Sequence, residues 1–435
     1  MGCRTLCFGL SCILFAYYIS APIPENVEEI WKVRALDALI KITSFTGKWF
    51  RCQLSFQSFS CAVCVPSPCF FDSANHCSLQ ATLFENIGLM KYEEVFSTLV
   101  KLDITKPVSD QNITVTDTTF SGIPVRLYLP KRKSERQRRA VIYLHGGAFV
   151  IGSCKNSPYD LLNRETANKL DAVVVGVDFR QPPQYYFPAA IEDILSAVKF
   201  FLQDKILERY RVDPTRICIT GDSSGGTLAA AVTQLLKNDP VFKNKIKAQA
   251  LIYPFLQILD SFTPSHQEYK HGPLLTRDIA IKMVCLYLTR DEALPQATNK
   301  NQHMPQESRH LFKLVNWSTF LPDKYKKNYI YTEPILGRLD VSYPALLDSR
   351  LSPLLVNDSQ LQKLPLTYII TCQHDILRDD GLIYVTRLQN VGVNVVHDHI
   401  EDGIHGALSL ISPRFYLLLG IRIKDKYINW LEENL

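Results

Sequence analysis

The chain has 435 residues, 46% of them hydrophobic and 21% charged, with a formal net charge of +5. That length and apolar content can bury a large core, which excludes a disordered tail or a small disulfide-stapled scaffold and fits one elaborated α/β domain as well as two domains. The positive excess is mild, and the basic run at 131–139 reads as a solvated loop between strands, so no nucleic-acid partner is indicated.

From the N-terminus, residues 5–21 form one uncharged apolar run, with Arg4 before it and Glu25, Glu28 and Glu29 after it. This is a targeting segment, not core. Its length is close to the lower limit for spanning a bilayer, and the leading positive charge favours a cytosolic N-terminus with the rest of the chain in the lumen. Residues 1–24 are therefore expected to be an uncleaved signal anchor that holds the chain to the membrane. A cleaved signal peptide and secretion are the alternative, disfavoured because Tyr17 and Tyr18 crowd the cleavage region and Pro22 follows Ala21.

Of the 12 cysteines, Cys52, Cys61, Cys64, Cys69 and Cys77 crowd into an insertion at about 48–83, within an N-terminal region spanning 25–113. Cys61 and Cys64 have the spacing of half a zinc site. Cys69, His76 and Cys77 are too irregular to supply the second half, so a flexible insertion is the favoured reading and no metal is assigned. A lumenal chain makes three sequons usable for glycosylation, at Asn112, Asn316 and Asn357.

The core begins near Thr114. Strands are expected at 125–129, 141–144, 173–177, 216–219, 250–253, 366–371 and 393–400, with helices at 159–170, 189–205, 227–238 and 378–390 between them. Such alternation specifies an α/β fold with a mostly parallel central sheet flanked by helices on both faces, and ligands at the carboxyl ends of the strands. The catalytic domain then runs over 114–435. Strand signals lapse between 254 and 355, where Tyr287, Phe312, Trp317, Phe320 and Tyr331 fall; this insertion, with residues 25–105, is expected to form a helical cap. Its amphipathic stretch at 279–288 is expected to line an apolar pocket.

Gly221-Asp222-Ser223-Ser224-Gly225 stands between a strand and a helix. In this pattern the glycines let the chain turn sharply and leave the central hydroxyl exposed, which makes Ser223 the candidate nucleophile. Upstream, a strand runs into His145-Gly146-Gly147-Ala148, a loop suited to converging backbone N–H groups on an oxyanion; with Ser224 these residues are the candidate oxyanion hole. A nucleophilic serine needs a base and an orienting acid. Asp375 and His405 follow in that order, each after an expected strand. Asp379 and Asp380 read as first-turn helix acids, His397 and His399 as packed strand residues, and His374 as a neighbour of the acid that faces the pocket. Cys154 and Cys372 each adjoin an active-site loop and are a candidate disulfide.

His-Gly-Gly, Gly-Asp-Ser-Ser-Gly-Gly, Asp-Ile-Leu-Arg-Asp-Asp-Gly and Asp-Gly-Ile-His-Gly together resemble the arylacetamide deacetylase group in the hormone-sensitive-lipase branch of serine hydrolases. The resemblance covers residues 1–45 and about 85–435. It implies an α/β-hydrolase core with a cap, hydrolysis of small hydrophobic carboxylic esters, amides or lipids, no cofactor, and residence in or beyond the endoplasmic reticulum. Two departures stand out. Relatives usually carry a third glycine where Ala148 stands, and a positive φ there is unfavourable for alanine. The stretch 178–183, Asp-Phe-Arg-Gln-Pro-Pro, replaces a Tyr-Arg-Leu-Ala-Pro motif that usually braces this region. These departures are the basis for a rival reading, a catalytically weakened or non-catalytic binding protein that keeps the fold.

Overall fold

In the computed structural model, which describes residues 23–38, 103–412 and 415–435, the strands assemble into one eight-stranded sheet in the order β1-β2-β4-β3-β5-β6-β7-β8. The strands are β1 (Ile113–Phe120), β2 (Ile123–Pro130), β3 (Arg138–Leu144), β4 (Ala172–Val177), β5 (Val212–Asp222), β6 (Ala248–Ile252), β7 (Leu366–His374) and β8 (Val395–Ile404). β1 and β2 pair antiparallel, β2 pairs antiparallel with β4, and every pairing from β4 to β8 is parallel. The central parallel strands are buried on both faces, whereas β8 at the sheet edge is only partly covered. β4 is buried at each of its positions, which is why it reads as a continuous apolar run rather than an alternation.

The longer helices among the described residues are α1 (Ser157–Leu170), α2 (Ala189–Phe201), α3 (Ser224–Lys237), α4 (Arg277–Leu288), α5 (Arg378–Asn390) and α6 (Leu418–Asn434); α4 belongs to the insertion between β6 and β7, and the others cover the sheet. The two-residue period of a strand sends neighbouring side chains to opposite layers. Ile142, Leu144, Ile217 and Ile219 join the core beneath α2 and α3, whereas Val141, Tyr143, Cys218 and Ala250 join the core beneath α1 and α6.

Two of these elements lie outside the expected set. β1 is polar and mostly exposed, an edge strand carried by its threonines, and α6 closes the chain with Leu419, Ile423, Tyr427 and Leu431 turned inward. The helix expected over 189–205 ends at Phe201 and is followed by a separate short helix, Asp204–Arg209. The expected anchor at 1–24 falls almost wholly outside the described residues, and the cysteine-rich insertion at 48–83 entirely so. Among the described residues no helix is long and apolar enough to cross a membrane. Residues 30–38 are helical, and Ile23, Val27 and Val33 pack in the core shared with α6. Asn26 donates to Glu401 O at 2.8 Å and accepts from His374 Nε2 at 2.9 Å.

Between β6 and β7 the chain forms short helices and turns with no strand, and buried carboxylates tie this insertion to the start of α5. Asp380 Oδ2 accepts the N–H groups of Leu256 at 2.9 Å and Gln257 at 3.3 Å, while Asp379 accepts from Ser265 N at 2.6 Å and Arg378 Nε at 3.0 Å. The two acids are thus fasteners between layers, not the dipole-facing residues expected from their place in the first helical turn. Arg387 completes the seam by donating to the carbonyl of Val356 and to Asp358.

Burial pushes the Asp380 carboxyl up to about 7. Between about pH 4 and pH 7 the folded chain therefore holds this proton more tightly than the unfolded chain, and the group's contribution to stability falls as pH rises through that window. Asp380→Ala, which orphans two buried amides, should cost about 3 kcal/mol at pH 5 and distinctly less at pH 8. Urea titrations at the two pH values check this; a loss that stays the same at both contradicts it.

Candidate active site

Each candidate group stands at the carboxyl end of a parallel strand. The turn after β5 places Ser223 at φ 54° and ψ −123°, a conformation non-glycine residues rarely adopt, with its N–H donating to Ile252 O at 2.9 Å. This conformation lifts the hydroxyl off the sheet toward the loop after β8, where His405 Nε2 lies 2.9 Å from Ser223 Oγ. His405 Nδ1 is 2.8 Å from Asp375 Oδ2, and Asp375 Oδ1 accepts the Leu377 N–H at 2.8 Å. Asp375 is 1% exposed and His405 7%, while Ser223 is only partly covered. A hydroxyl, an imidazole and a buried carboxylate in a continuous hydrogen-bonded row can move a proton off the hydroxyl as it attacks.

The loop after β3 folds against this turn. Gly147 has φ +118°, and a Cβ there would lie 2.1 Å from the Ile151 carbonyl oxygen, so only glycine fits. Ala148 follows at φ 53°, the positive value that its departure from glycine makes costly, and Phe149 at φ 67° repeats the strain. The Phe149 N–H donates to Ser224 Oγ at 3.1 Å, a bond that ties the strained pair to the first residue of α3. The backbone N–H groups of Gly147, Ala148 and Ser224 have no partner among the described residues and border the cleft beside Ser223.

Gly146 does not join them. Its N–H donates to Asp222 Oδ1 at 2.9 Å, so it is a fixed point of the loop and not the oxyanion donor expected from the sequence. His145 is buried with its ring stacked on Phe179 at 4.4 Å, and Nδ1 lies 2.7 Å from the Gly146 carbonyl oxygen; burial holds its basicity below the ordinary histidine value. The replaced motif at 178–183 still braces the loop: Phe179 through that stack, Arg180 through a bidentate pair with Asp193, and Gln181 by donating to Ile151 O at 3.2 Å.

The remaining expectations divide. Cys154 and Cys372 are both free and buried. Cys154 packs on Gly176 of β4, and β4 lies four strands from β7, which carries Cys372. At about 4.8 Å per strand that is roughly 19 Å, far beyond the ~7 Å limit between bridged Cα atoms, so the proposed disulfide is excluded by the sheet order. His374 turns from the cleft to Asn26. His397 and His399 both meet Thr371 Oγ1 at 2.8 Å, as packed strand residues do. Among the sequons, Asn112 and Asn357 are exposed and Asn316 is half-buried.

The cleft encloses about 220 Å³ and runs from the Ser223 turn to α4, whose Ile279, Ala280, Met283 and Val284 line it with Phe255 and Leu377. Phe149 stacks on Tyr287 of α4 at 4.5 Å, linking the strained loop to the insertion. The expected lining role of the amphipathic stretch is therefore observed.

Over all 435 residues and the full length of both chains, this protein is 61% identical to human arylacetamide deacetylase-like 2. It is 44% identical over 434 residues to rat arylacetamide deacetylase, covering 99% of this chain and 100% of the relative. A family model described as the alpha/beta hydrolase fold matches residues 141–311 and 304–409. The chain belongs to the arylacetamide deacetylase family of α/β-hydrolases. It is also 38% identical over 443 residues to neutral cholesterol ester hydrolase 1 of Bos taurus, with 99% and 100% of the two chains covered. Among solved structures, the hyperthermophilic esterase of Pyrobaculum calidifontis superposes with a TM-score of 0.56 at 27% identity, over 79% of this chain and 89% of that one.

Two residues that shape this α/β-hydrolase site were not singled out from the sequence for the part they play. Asp222 is 2% exposed and gathers Tyr143 Oη at 2.9 Å, Tyr159 Oη at 3.2 Å and the Gly146 N–H; burial pushes its carboxyl up to about 6. Ser224, whose sequence context points only to its amide, holds Phe149 through its hydroxyl. The signal for both was proximity to Ser223, but their partners come from strands and loops far away in sequence. Ser224→Ala should lower kcat for a short-chain ester about fivefold, equivalent to ~1 kcal/mol. Adding Ala148→Gly, which relieves the strain the hydroxyl restrains, should restore most of it. Steady-state kinetics of the two single variants and the double variant test the coupling; strictly additive effects count against it.

Proposed function

We propose that Ser223 is the nucleophile of this carboxylic ester hydrolase and works through a covalent acyl-enzyme. His405 removes the Ser223 proton as the hydroxyl attacks the ester or amide carbonyl, and Asp375 holds the imidazole in the tautomer that accepts it. The tetrahedral oxyanion is received by the amides of Gly147, Ala148 and Ser224. His405 then returns the proton to the leaving alcohol or amine, and the same base activates the water that releases the acid. The observation that carries this reading is the unbroken row from Ser223 Oγ through His405 to Asp375, with spacings of 2.9 and 2.8 Å, at the floor of an apolar cleft.

The cleft lining supports a small hydrophobic ester, amide or lipid as substrate, in keeping with what the names of the relatives say those proteins act on. The apolar N-terminal run and the sequons support an uncleaved signal anchor in the endoplasmic reticulum membrane with a lumenal, glycosylated catalytic domain, secretion being the alternative. Carbonate extraction of membranes from expressing cells should leave the chain in the pellet, and peptide N-glycosidase should lower its mass; a soluble, glycosidase-insensitive chain refutes the placement.

Ser223→Ala should abolish hydrolysis of 4-nitrophenyl acetate and labelling by a serine-directed fluorophosphonate, while the thermal midpoint stays within about 2 °C of the parent. Undiminished turnover in that variant would sink the assignment.

A further inference from the structure

Most of the ionisable groups around the cleft are committed. His405 is engaged by Ser223 and Asp375, and Asp222 by Tyr143, Tyr159 and the Gly146 amide. Asp103 is different. Its Oδ2 accepts the Ser157 N–H at 3.1 Å, a proton its own backbone oxygen shares at 3.2 Å, and Oδ1 receives no donor among the described residues. No described cation pairs with it, and neither Lys nor Arg is among the described residues that line the cleft. The carboxyl is half-buried, and this desolvation raises its pKa, the Ser157 N–H offsetting only part of the effect.

The cleft has two chemically distinct walls. One is the apolar face of α4. The other is formed by Asp103 and the start of α1, where Pro158 and Tyr159 also line the space and Tyr159 reaches across to Asp222, the neighbour of Ser223. The plain account of Asp103 is that it serves the helix end, since the Asn156 side chain makes no capping bond to α1. One oxygen suffices for that. It leaves the second oxygen without a donor among the described residues, on a carboxyl that lines a cleft to which no described Lys or Arg contributes.

We infer, resting on the hydrolase reading above, that Asp103 is a specificity-determining residue that selects esters or amides bearing a protonated amine, while the α4 wall takes the apolar part of the substrate. Free carboxylates and phosphates are disfavoured by the same charge, because among the described residues that line the cleft no Lys or Arg offsets it.

The test uses the full-length protein in detergent and two matched substrates at pH 7.4, 3-(dimethylaminomethyl)phenyl acetate and its uncharged isostere 3-isobutylphenyl acetate. The parent chain should favour the amine ester by about tenfold in kcat/KM, a contact between opposite charges in a partly dry site readily exceeding the equivalent energy. Asp103→Asn keeps an oxygen for the Ser157 N–H and should bring the ratio to about one, with the loss carried by KM of the amine ester. A ratio near one in the parent, or a tenfold ratio that survives Asp103→Asn, overturns the inference while leaving the hydrolase reading intact. Failure of the parent to cleave either ester overturns both. Should the variant fail to fold, benzyltrimethylammonium must still act as a competitive inhibitor of the parent on the isobutyl ester where benzoate does not; equal indifference to both ions refutes the role of Asp103.

Discussion

A close backbone approach between two strand ends decides most of the site's geometry. A Cβ on Gly225 would sit 2.1 Å from the Leu144 carbonyl oxygen, and one on Gly221 would sit 2.4 Å from the backbone of Gly225. α3 can therefore start only by pressing its first turn onto the end of β3, which forces Ser223 through its positive φ and sets the loop at 145–151 directly beside it. The amides left without a partner among the described residues and the hydroxyl meet because two adjacent parallel strands end at the same level, with β5 beside β3. Everything chemically useful lies along that line of strand ends.

Buried carboxylates then fix what surrounds the line. Asp222 draws the Gly146 amide and two tyrosines to the rear of the Ser223 turn, and Asp379 and Asp380 draw the 254–355 insertion onto the helix that follows Asp375. An unpaired backbone N–H inside a protein costs more than a single hydrogen bond returns, so such acceptors act chiefly by leaving alternative loop positions unsatisfied. The strain at Ala148 and Phe149 is tolerated in this setting because neighbours on both sides hold the loop: Ser224 at one end, Gln181 and the stacked pair of Phe179 and His145 at the other.

The parallel strands and the triad positions were readable because they are local patterns. A continuous apolar run ends in a glycine-flanked Ser, Asp or His, and both the run and its punctuation lie within about ten residues. What escaped is non-local. β1 earns its place by pairing with β2 rather than by hydrophobicity, and α6 by covering Tyr143, Cys218 and Tyr368 from the far end of the chain. Gly146 loses its expected role to a carboxylate 76 positions away, and the disulfide reading failed because closeness to the active-site loops says nothing about which strands separate them. Asp379 and Asp380 carried an ordinary helix-start signature, while their actual partners, Ser265, Leu256 and Gln257, are more than 100 residues upstream.

The seam between the insertion and α5 has a mechanical implication. Asp379 and Asp380 sit one turn beyond Asp375, so the insertion at residues 256–265 and the acid behind the imidazole are fastened to the same helix start. A swinging flap anchored there would drag the proton relay out of line each time it opened. Entry by threading along the cleft avoids that penalty, and it leaves the cleft-lining side chains of Ile279, Met283 and Val284 as places where selection can recut the channel for new acyl groups without disturbing the chemistry at its base.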